Sequence, residues 1–271
     1  MNKKRNLIIV TSIIISIFHA IPLYLLMSTS FKSDSDLSSK WQFPNYLYLD
    51  NFKNAWEYAH LGKAFFNNIV ITVISVILVI IIGACASYPL ARYQTRFNKV
   101  MYIIFISALI VPPLTILVPL YKFIIDLGGL NSYWAMIVLN VTFNLPITIF
   151  LYTGFINTIP RELDEAAMID GASRIGLFFK ILLPLLKPVT VTVVILTGVA
   201  IWNDYQFSVF FLQDSERLTI TVALSQFFSQ FNSNLGWVAA GSLLGMLPLT
   251  ILYLFLQRYF IQGLSAGAVK D

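Results

Sequence analysis

The stretch Asn68–Leu90, NIVITVISVILVIIIGACASYPL, decides the fold class of this 271-residue chain because it contains no charged residue. A helix of about 20 apolar residues crosses the ~30 Å hydrocarbon core of a bilayer. Backbone N–H and C=O groups in lipid must be hydrogen-bonded within the protein, which requires such a segment to be helical. The stretch therefore predicts a transmembrane helix.

Five other apolar runs of similar length predict further transmembrane helices. Over the whole chain, 58% of residues are hydrophobic and 11% are charged, whereas roughly 25% are charged in a soluble domain. A soluble protein this apolar would need a larger core than a chain of this length can enclose. We therefore predict one all-α integral membrane domain with six transmembrane helices. The other five lie near Leu7–Met27, Met101–Tyr121, Trp134–Phe155, Leu182–Ile201 and Val238–Phe260.

The N-terminus has features of both a signal peptide and a membrane helix. Lys3, Lys4 and Arg5 precede the apolar run Leu7–Met27, as basic residues do in a signal peptide. The run is longer than the ~7–15 residues of a signal-peptide core, and it lacks a clear small-x-small cleavage site. We therefore expect it to be retained as the first transmembrane helix.

The distribution of Lys and Arg predicts the orientation of the helices. If the N-terminus is cytoplasmic and the spans alternate, 12 of the 18 basic residues are cytoplasmic and 6 are external, although the external loops are longer. This asymmetry favours cytoplasmic positions for both termini. The basic residues lie between apolar runs instead of on one face, so the net charge of +5 does not indicate nucleic-acid binding.

Several predicted spans contain residues that a simple membrane anchor does not need. Pro112 and Pro113 should interrupt and bend the third span, and Pro146 should do the same in the fourth. Gly241 and Gly245 have the small-xxx-small spacing that lets another helix approach closely.

Polar and aromatic residues in the fourth and fifth spans are candidates for a substrate pathway. Asn140 and Asn144 are four residues apart and share one helix face, while Trp202 and Asn203 lie at the outer end of the fifth span. Packing and hydrogen bonding between helices is the alternative role for these residues.

The long cytoplasmic loop at residues 157–181 contains most of the segment Pro160–Pro188, which reads PRELDEAAMIDGASRIGLFFKILLPLLKP. It predicts a helix that begins near Pro160, with acidic residues in its first turns, where the helix dipole favours anions. Gly171 can adopt the left-handed conformation that ends a helix. A second helix with an apolar side follows. Such a helix–turn–helix suits docking on another protein, and the alternative is a surface helix that rests on lipid headgroups.

This segment resembles the EAA loop of binding-protein-dependent ABC importers, whose pattern is Glu-Ala-Ala, then Gly, then Ile-x-Leu-Pro. In that family the loop is a coupling helix, which docks on the ATPase subunit and transmits its motion to the membrane. The resemblance implies the type I ABC importer permease architecture and assigns coupling to the residues from Glu165 to Ala172. The matching residues are Glu165, Ala166, Ala167, Asp170, Gly171, Ala172, Ile181, Leu183 and Pro184.

Two further segments resemble the carbohydrate-uptake branch of this family, whose members are similar to the MalG subunit of the maltose system. One is Trp202-Asn203-Asp204, and the other is the tail that begins at Gln257. The resemblance implies uptake of a sugar or oligosaccharide and places a cytoplasmic tail, residues 263–271, at the ATPase. Asp271 departs from the Gly that usually ends the family tail. The tail residues implied to contact the ATPase are Gly267, Ala268, Val269 and Lys270.

The resemblance also implies which partners the chain has and which chemistry it lacks. A second homologous permease, two ATPase subunits and an extracytoplasmic solute-binding protein should complete the transporter, with ATP and Mg²⁺ held by the ATPase. The chain has no G-x-x-x-x-G-K-[ST] or H-E-x-x-H motif, and its single cysteine, Cys85, excludes an internal disulfide and a cysteine-based metal site. We therefore predict no enzymatic activity, no metal site and no cofactor in this chain.

Other membrane functions remain as alternatives. The chain could be an ABC permease for a solute other than a sugar, a secondary transporter or a membrane enzyme. A proton- or ion-coupled transporter is disfavoured because no charged residue lies near the centre of a predicted span. An enzyme is disfavoured because no paired acid, base or nucleophile occurs at bilayer depth.

The predicted orientation can be tested by labelling single cysteines in a Cys85→Ala background. Cysteines at Asp126 and Asp214 should react with an impermeant reagent added outside the cell, because both positions lie in predicted external loops. Cysteines at Asn98 and Arg174 should react only after the membrane is opened. External labelling at Asn98 without labelling at Asp126 would invert the orientation.

Overall fold

The computed structural model describes the backbone of residues 2–227 and 234–268, and the side chains of residues 5–227 and 234–257. Helix accounts for 77% of the structure, and no strand occurs among the described residues. The predicted all-α fold class is therefore confirmed.

The α-helices differ greatly in length, and the long ones alternate with short helices in the connecting segments. In chain order they are α1 (Asn2–Ser30), α2 (Asp50–Tyr58), α3 (Leu61–Arg92), α4 (Arg96–Ser107), α5 (Leu117–Asp126), α6 (Tyr133–Ile156), α7 (Glu162–Ile169), α8 (Arg174–Leu177), α9 (Leu183–Leu185), α10 (Lys187–Trp202), α11 (Ser208–Phe211), α12 (Ile220–Ser225) and α13 (Leu235–Ala268). Short 3₁₀ helices occupy Ala108–Ile110 and Pro113–Ile116, and a π-helix occupies Phe178–Leu182.

Four of the described helices are long and apolar enough to cross a membrane. They are Arg5–Ser30 within α1, α3, α6, and Leu235–Gln257 within α13. Two bent helix pairs pass the same test of length and composition. They are Arg96–Ile110 with Pro113–Asp126, and Arg174–Leu185 with Lys187–Trp202. The described chain thus contains six candidate spans if each bent pair forms one span.

The first bent pair contains the two prolines that were predicted to interrupt the third span. The helices on either side meet at 92°. Val111 and Pro112 both have extended backbone, with ψ of 117° and 124°. Proline lacks an N–H donor and keeps the preceding residue out of the helical region. The predicted bend is therefore confirmed.

Pro146 behaves differently from this pair. It was predicted to interrupt the fourth span, but α6 runs without a break from Tyr133 to Ile156 and buries Pro146. A single proline removes one backbone hydrogen bond, and a membrane helix tolerates this loss where neighbouring groups take up the freed carbonyl.

The second bent pair divides the run that was predicted as one continuous fifth span. Arg174–Leu185 and Lys187–Trp202 meet at 71°, so the straight membrane helix α10 begins at Lys187. Pro188 lies in the first turn of α10, where its fixed φ and missing N–H are compatible with a helix start. The π-helix Phe178–Leu182 precedes the break and widens the helical turn there.

The chain divides into two compact units. The first consists of Met1–Phe65 and Ile220–Pro248. Its buried core contains Ala55, Leu61, Phe227 and Ala240. A side chain at Gly241 would collide with Leu224, and one at Gly245 would approach Ile220 to 2.9 Å. The absence of side chains at Gly241 and Gly245 thus lets α12 pack closely against α13 within this unit.

Side-chain hydrogen bonds order the polar loop that follows α1. The buried Lys32 ammonium donates to Ser38 Oγ at 2.6 Å and to the Ser39 carbonyl at 2.7 Å. The Asp36 carboxylate accepts hydrogen bonds from the Ser38 N–H at 2.9 Å and the Tyr46 hydroxyl at 2.6 Å. Hydrogen bonding from Ser38 and Tyr46 lowers the pKa of Asp36 to about 2, so this carboxylate stays charged at physiological pH.

The second unit consists of Phe66–Thr219 and Leu249–Asp271, and α3, α6 and α10 contribute to its core. The fully buried Tyr152 of α6 donates its hydroxyl hydrogen to Thr190 of α10 at 3.0 Å. A side chain at Gly83 of α3 would collide with Thr148 of α6, so glycine permits these two helices to approach closely. Hydrogen bonds and small residues are the usual means of helix association in lipid.

Candidate coupling loop and transport residues

The loop between α6 and α10 contains the helix–turn–helix predicted from the sequence. Its first helix, α7, spans Glu162–Ile169 and begins two residues after Pro160. The first turn carries Glu162, Asp164 and Glu165. Their negative charges stabilise the helix by interacting with the positive end of its dipole.

The end of α7 is fixed by a Schellman motif centred on Gly171. The φ angle of Gly171 is +83°, in the left-handed region that glycine adopts without strain. The Gly171 N–H donates to the Met168 carbonyl at 3.1 Å, and the Ala172 N–H donates to the Ala167 carbonyl at 2.9 Å. These two bonds define the motif, so the predicted left-handed conformation is confirmed.

The second helix starts immediately after this turn. Ser173 is the N-cap of α8, and its hydroxyl accepts a hydrogen bond from the Gly176 N–H at 3.1 Å. Only two residues, Gly171 and Ala172, separate the C-cap of α7 from the N-cap of α8. The turn therefore sets the direction of α7 relative to the helical segment that leads to α10.

The two faces of α7 have different environments. Asp164 and Ala167 are buried, and Ala167 packs in a core cluster with Leu177 and Phe178. Glu165 and Ala166 lie on the exposed side. The Glu-Ala-Ala triplet is thus divided, with one alanine inside the subunit and the other two residues on its surface.

The exposed side of the helix–turn–helix carries large apolar side chains on both α7 and α8. Ile169 is 86% exposed and Ile175 is 73% exposed. Leu163 and Met168 flank them with exposures of 43% and 50%. A cluster of exposed large apolar side chains marks an interaction surface.

The other residues predicted for coupling belong to the turn. Asp170 is the C-cap of α7 and is exposed, Gly171 is exposed, and Ala172 is half-buried. The structure therefore brings all six predicted coupling residues into one helix and the turn that follows it.

Arg92, a residue that sequence reasoning used only as a topology signal, contacts α7 directly. Its Nε lies 2.8 Å from Asp164 Oδ2, and its Nη2 donates to Oδ1 of the same carboxylate at 3.1 Å. Its Nη1 donates to the carbonyls of Ile156 and Ile159 at 3.2 and 3.0 Å. The sequence shows Arg92 just after the second predicted span and Asp164 in the loop after the fourth, but it does not show that the two residues pair.

The four predicted pathway residues have different accessibilities. Asn140 is buried and donates to the Met136 carbonyl at 3.0 Å, while the half-buried Asn144 donates to the Asn140 carbonyl at 2.8 Å. Trp202 is buried, and its carbonyl accepts a hydrogen bond from the buried Asn68 at 3.0 Å. Asn203 is exposed and donates to the Val199 carbonyl at 3.0 Å.

The predicted tail begins within the last helix. Helix α13 continues to Ala268, so Gly267 and Ala268 belong to it, whereas Val269 and Lys270 lie outside the described residues. The sequence predicted that the last span ends near Phe260 and that a tail follows, but the helix continues beyond that position.

Comparisons with known proteins agree with these features. Residues 80–266 match the family described as "Binding-protein-dependent transport system inner membrane component". The chain is 49% identical over 269 residues to the melibiose/raffinose/stachyose import permease protein MelC of Bacillus subtilis, and the match covers 99% of this chain and 98% of MelC. It is 36% identical to the multiple sugar-binding transport system permease protein MsmG of Streptococcus mutans, with coverages of 92% and 91%.

A solved structure has the same fold. It is the crystal structure of a bacterial ABC transporter involved in the import of the acidic polysaccharide alginate. One of its chains matches with a TM-score of 0.81 and 22% identity, covering 96% of this chain and 98% of that chain. The predicted type I importer permease architecture is thereby confirmed.

The family match and these relatives show that this multi-pass helical membrane protein is a permease subunit of an ABC transporter. This chain belongs to the family of binding-protein-dependent transport system inner membrane components. It is a transport subunit and not an enzyme.

Substitution of Gly171 should weaken transport through backbone strain. A Cβ atom there would meet no atom within 4 Å, so Gly171→Val should act mainly through the left-handed strain of ~1–2 kcal/mol. We expect uptake in reconstituted vesicles to fall by up to about tenfold, because 1.4 kcal/mol changes the equilibrium constant for the native direction of α7 by that factor.

Gly128 provides a matched control. Its φ is +67°, a Cβ atom there meets nothing within 4 Å, and Gly128 and Gly129 close the same type of Schellman motif after α5. Gly128→Val should impose similar strain and leave uptake near the unmodified level. Equal uptake by both variants would show that the conformation of the Gly171 turn does not matter for transport.

Proposed function

We propose that this permease imports a sugar or oligosaccharide of the melibiose, raffinose and stachyose type. The observation that carries the proposal is the 49% identity to MelC over 99% of this chain. Other relatives are named for sugars too, including the maltodextrin transport system permease protein MdxG of Bacillus subtilis, with 32% identity over the whole of this chain. The proposal concerns the substrate class, since membership of the importer family does not specify the solute.

The proposed assembly contains a second homologous permease, two ATPase subunits and an extracytoplasmic solute-binding protein, with both termini of this chain in the cytoplasm. ATP and Mg²⁺ would bind to the ATPase subunits and not to this chain. The family description supports the binding protein as a partner. A second structure with the same fold, at a TM-score of 0.63, is the bacterial alginate ABC transporter in complex with an alginate pentasaccharide-bound periplasmic protein.

The exposed face of α7 supports docking of the ATPase at this loop. Glu165, Ala166 and Ile169 lie on the side of the helix opposite the buried Asp164 and Ala167. Ile169 is a large apolar side chain of the kind that fills a partner's pocket, and Ala166 leaves room for close approach of the partner's backbone. A few well-packed anchor residues supply most of the binding energy at protein interfaces.

Transport would follow alternating access. Closure of the ATPase dimer on ATP would move the docked loops together and open the permease pair toward the binding protein. Asn144 and Asn203 are accessible enough to meet a sugar in the described conformation, whereas Asn140 and Trp202 are buried. Contact between the sugar and these last two residues would require rearrangement around α6 and α10.

The substrate class can be tested by uptake in vesicles that contain the complete transporter with its binding protein. We expect ATP-dependent uptake of labelled raffinose, and competition by unlabelled melibiose and stachyose but not by maltodextrin. A complex that assembles and hydrolyses ATP, yet takes up none of the three sugars, would contradict the proposed substrate class.

The docking face can be tested with Ile169→Asp, which places a charge on the exposed side of α7 without disturbing the buried side. Loss of an apolar anchor typically costs about 2 kcal/mol or more, so we expect co-purification of the ATPase to fall at least about tenfold. Leu37→Asp is the matched control, because Leu37 is 97% exposed in the loop after α1. Normal ATPase binding by Ile169→Asp would exclude this face as the docking site.

A further inference from the structure

The contacts of Arg92 connect three elements that meet at one end of the candidate spans of the second unit. Arg92 is in the last turn of α3, Ile156 is the last residue of α6, and Asp164 is in the first turn of α7. The side chain of Arg92 is 5% exposed and that of Asp164 is 13% exposed. A single guanidinium group thus links the ends of two candidate spans to the coupling helix.

The geometry uses the planar shape of the guanidinium group. Two of its nitrogens face both carboxylate oxygens of Asp164, at 2.8 and 3.1 Å, while the third donates to the Ile156 and Ile159 carbonyls. These carbonyls lie at and beyond the C-terminus of α6, where helical carbonyls have no partner within the helix. The compact ammonium group of a lysine lacks the planar fork of nitrogens with which Arg92 contacts the Asp164 carboxylate and two carbonyls on another element.

Stability alone does not account for this ion pair. Desolvation of two charges offsets much of their attraction, and well-packed apolar residues often stabilise a fold equally well. The hydrogen bonds from this guanidinium group to Asp164 and to the two carbonyls do provide directional specificity, because a hydrogen bond depends on angle as well as distance. Such specificity is useful where one helix must transmit a displacement to others.

We propose that Arg92 is a positioning residue that locks α7 to the ends of α3 and α6 through Asp164, so that displacement of the docked loop moves both spans. The proposal rests on the proposed role of α7 in ATPase docking. The Gly171 turn sets the direction of α7 from its C-terminal side, and the Arg92–Asp164 pair holds it near its N-terminal side. Without the pair, the connection between Ile156 and Glu162 would absorb part of the movement.

The decisive variant is Asp164→Asn, which removes the carboxylate charge that faces Arg92 and leaves the two hydrogen bonds from Arg92 to the Ile156 and Ile159 carbonyls. Glu162→Gln is the matched control, because it removes an exposed carboxylate from the same helical turn. The measured quantity is sugar uptake per ATP hydrolysed, for each complex that assembles with the ATPase in vesicles. We expect this ratio to fall about tenfold for Asp164→Asn and to stay unchanged for Glu162→Gln.

A second variant, Arg92→Lys, keeps the positive charge but loses the planar fork that reaches Asp164 and the two carbonyls together. It should lower the ratio in the same direction, and the Asp164→Asn/Arg92→Lys double variant should be little worse than either single variant, since both remove one link. An unchanged ratio in both single variants would overturn the proposal, even if the yield of complex falls, because the pair would then serve folding only.

Failure of this inference can be distinguished from failure of the docking proposal. If Asp164→Asn has an unchanged ratio while Ile169→Asp loses the ATPase, α7 docks the ATPase but Arg92 does not position it. If Ile169→Asp keeps the ATPase, the docking face itself is wrong, and the positioning role proposed for Arg92 is overturned with it.

Discussion

The need to hydrogen-bond every backbone polar group that lies in lipid is the constraint on which this structure depends. It makes each long apolar run a helix, and it restricts irregular backbone to places where proline or a helix end already removes a bond. The break at Val111–Pro113 and the break before Lys187 are both associated with prolines. The same constraint applies to polar side chains inside the bundle, and for this reason Tyr152 and Thr190 bond to each other across two helices.

The lengths of the apolar runs and the positions of the prolines made most of the fold predictable from the sequence. The helical class, the bend at Pro112–Pro113 and the left-handed Gly171 turn all follow from local chemistry that the sequence shows directly. Pro146 was misjudged because a proline breaks a membrane helix only where no neighbour compensates, which depends on tertiary packing. The start of α10 at Lys187 was missed because apolar composition does not distinguish a helix that bends from one that continues.

The candidate coupling site was predictable in its location but not in its internal geometry. The motif located all six predicted residues from Glu165 to Ala172, yet it did not show which of them face inward. Arg92 was missed because it is 72 residues from Asp164 in the chain, and a basic residue at the end of a span has a sufficient explanation in membrane topology. Nothing in the local sequence separates a topology signal from a buried partner of a distant acid.

The division of the Glu-Ala-Ala triplet shows that its two alanines are small for different reasons. Ala167 is 5% exposed against the core of its own subunit, so a larger side chain there would displace α7 from Leu177 and Phe178. Ala166 is exposed, so its small size leaves the subunit unaffected and matters only to a partner that approaches closely. A helix this short is marginally stable by itself, and it keeps its orientation because it is held at three places: Asp164, Ala167 and the Gly171 turn. Fixing the inner side of α7 in this way also fixes the direction of Glu165, Ala166 and Ile169 on its outer side, and the proposed transmission of a displacement from one subunit to another requires such a fixed direction.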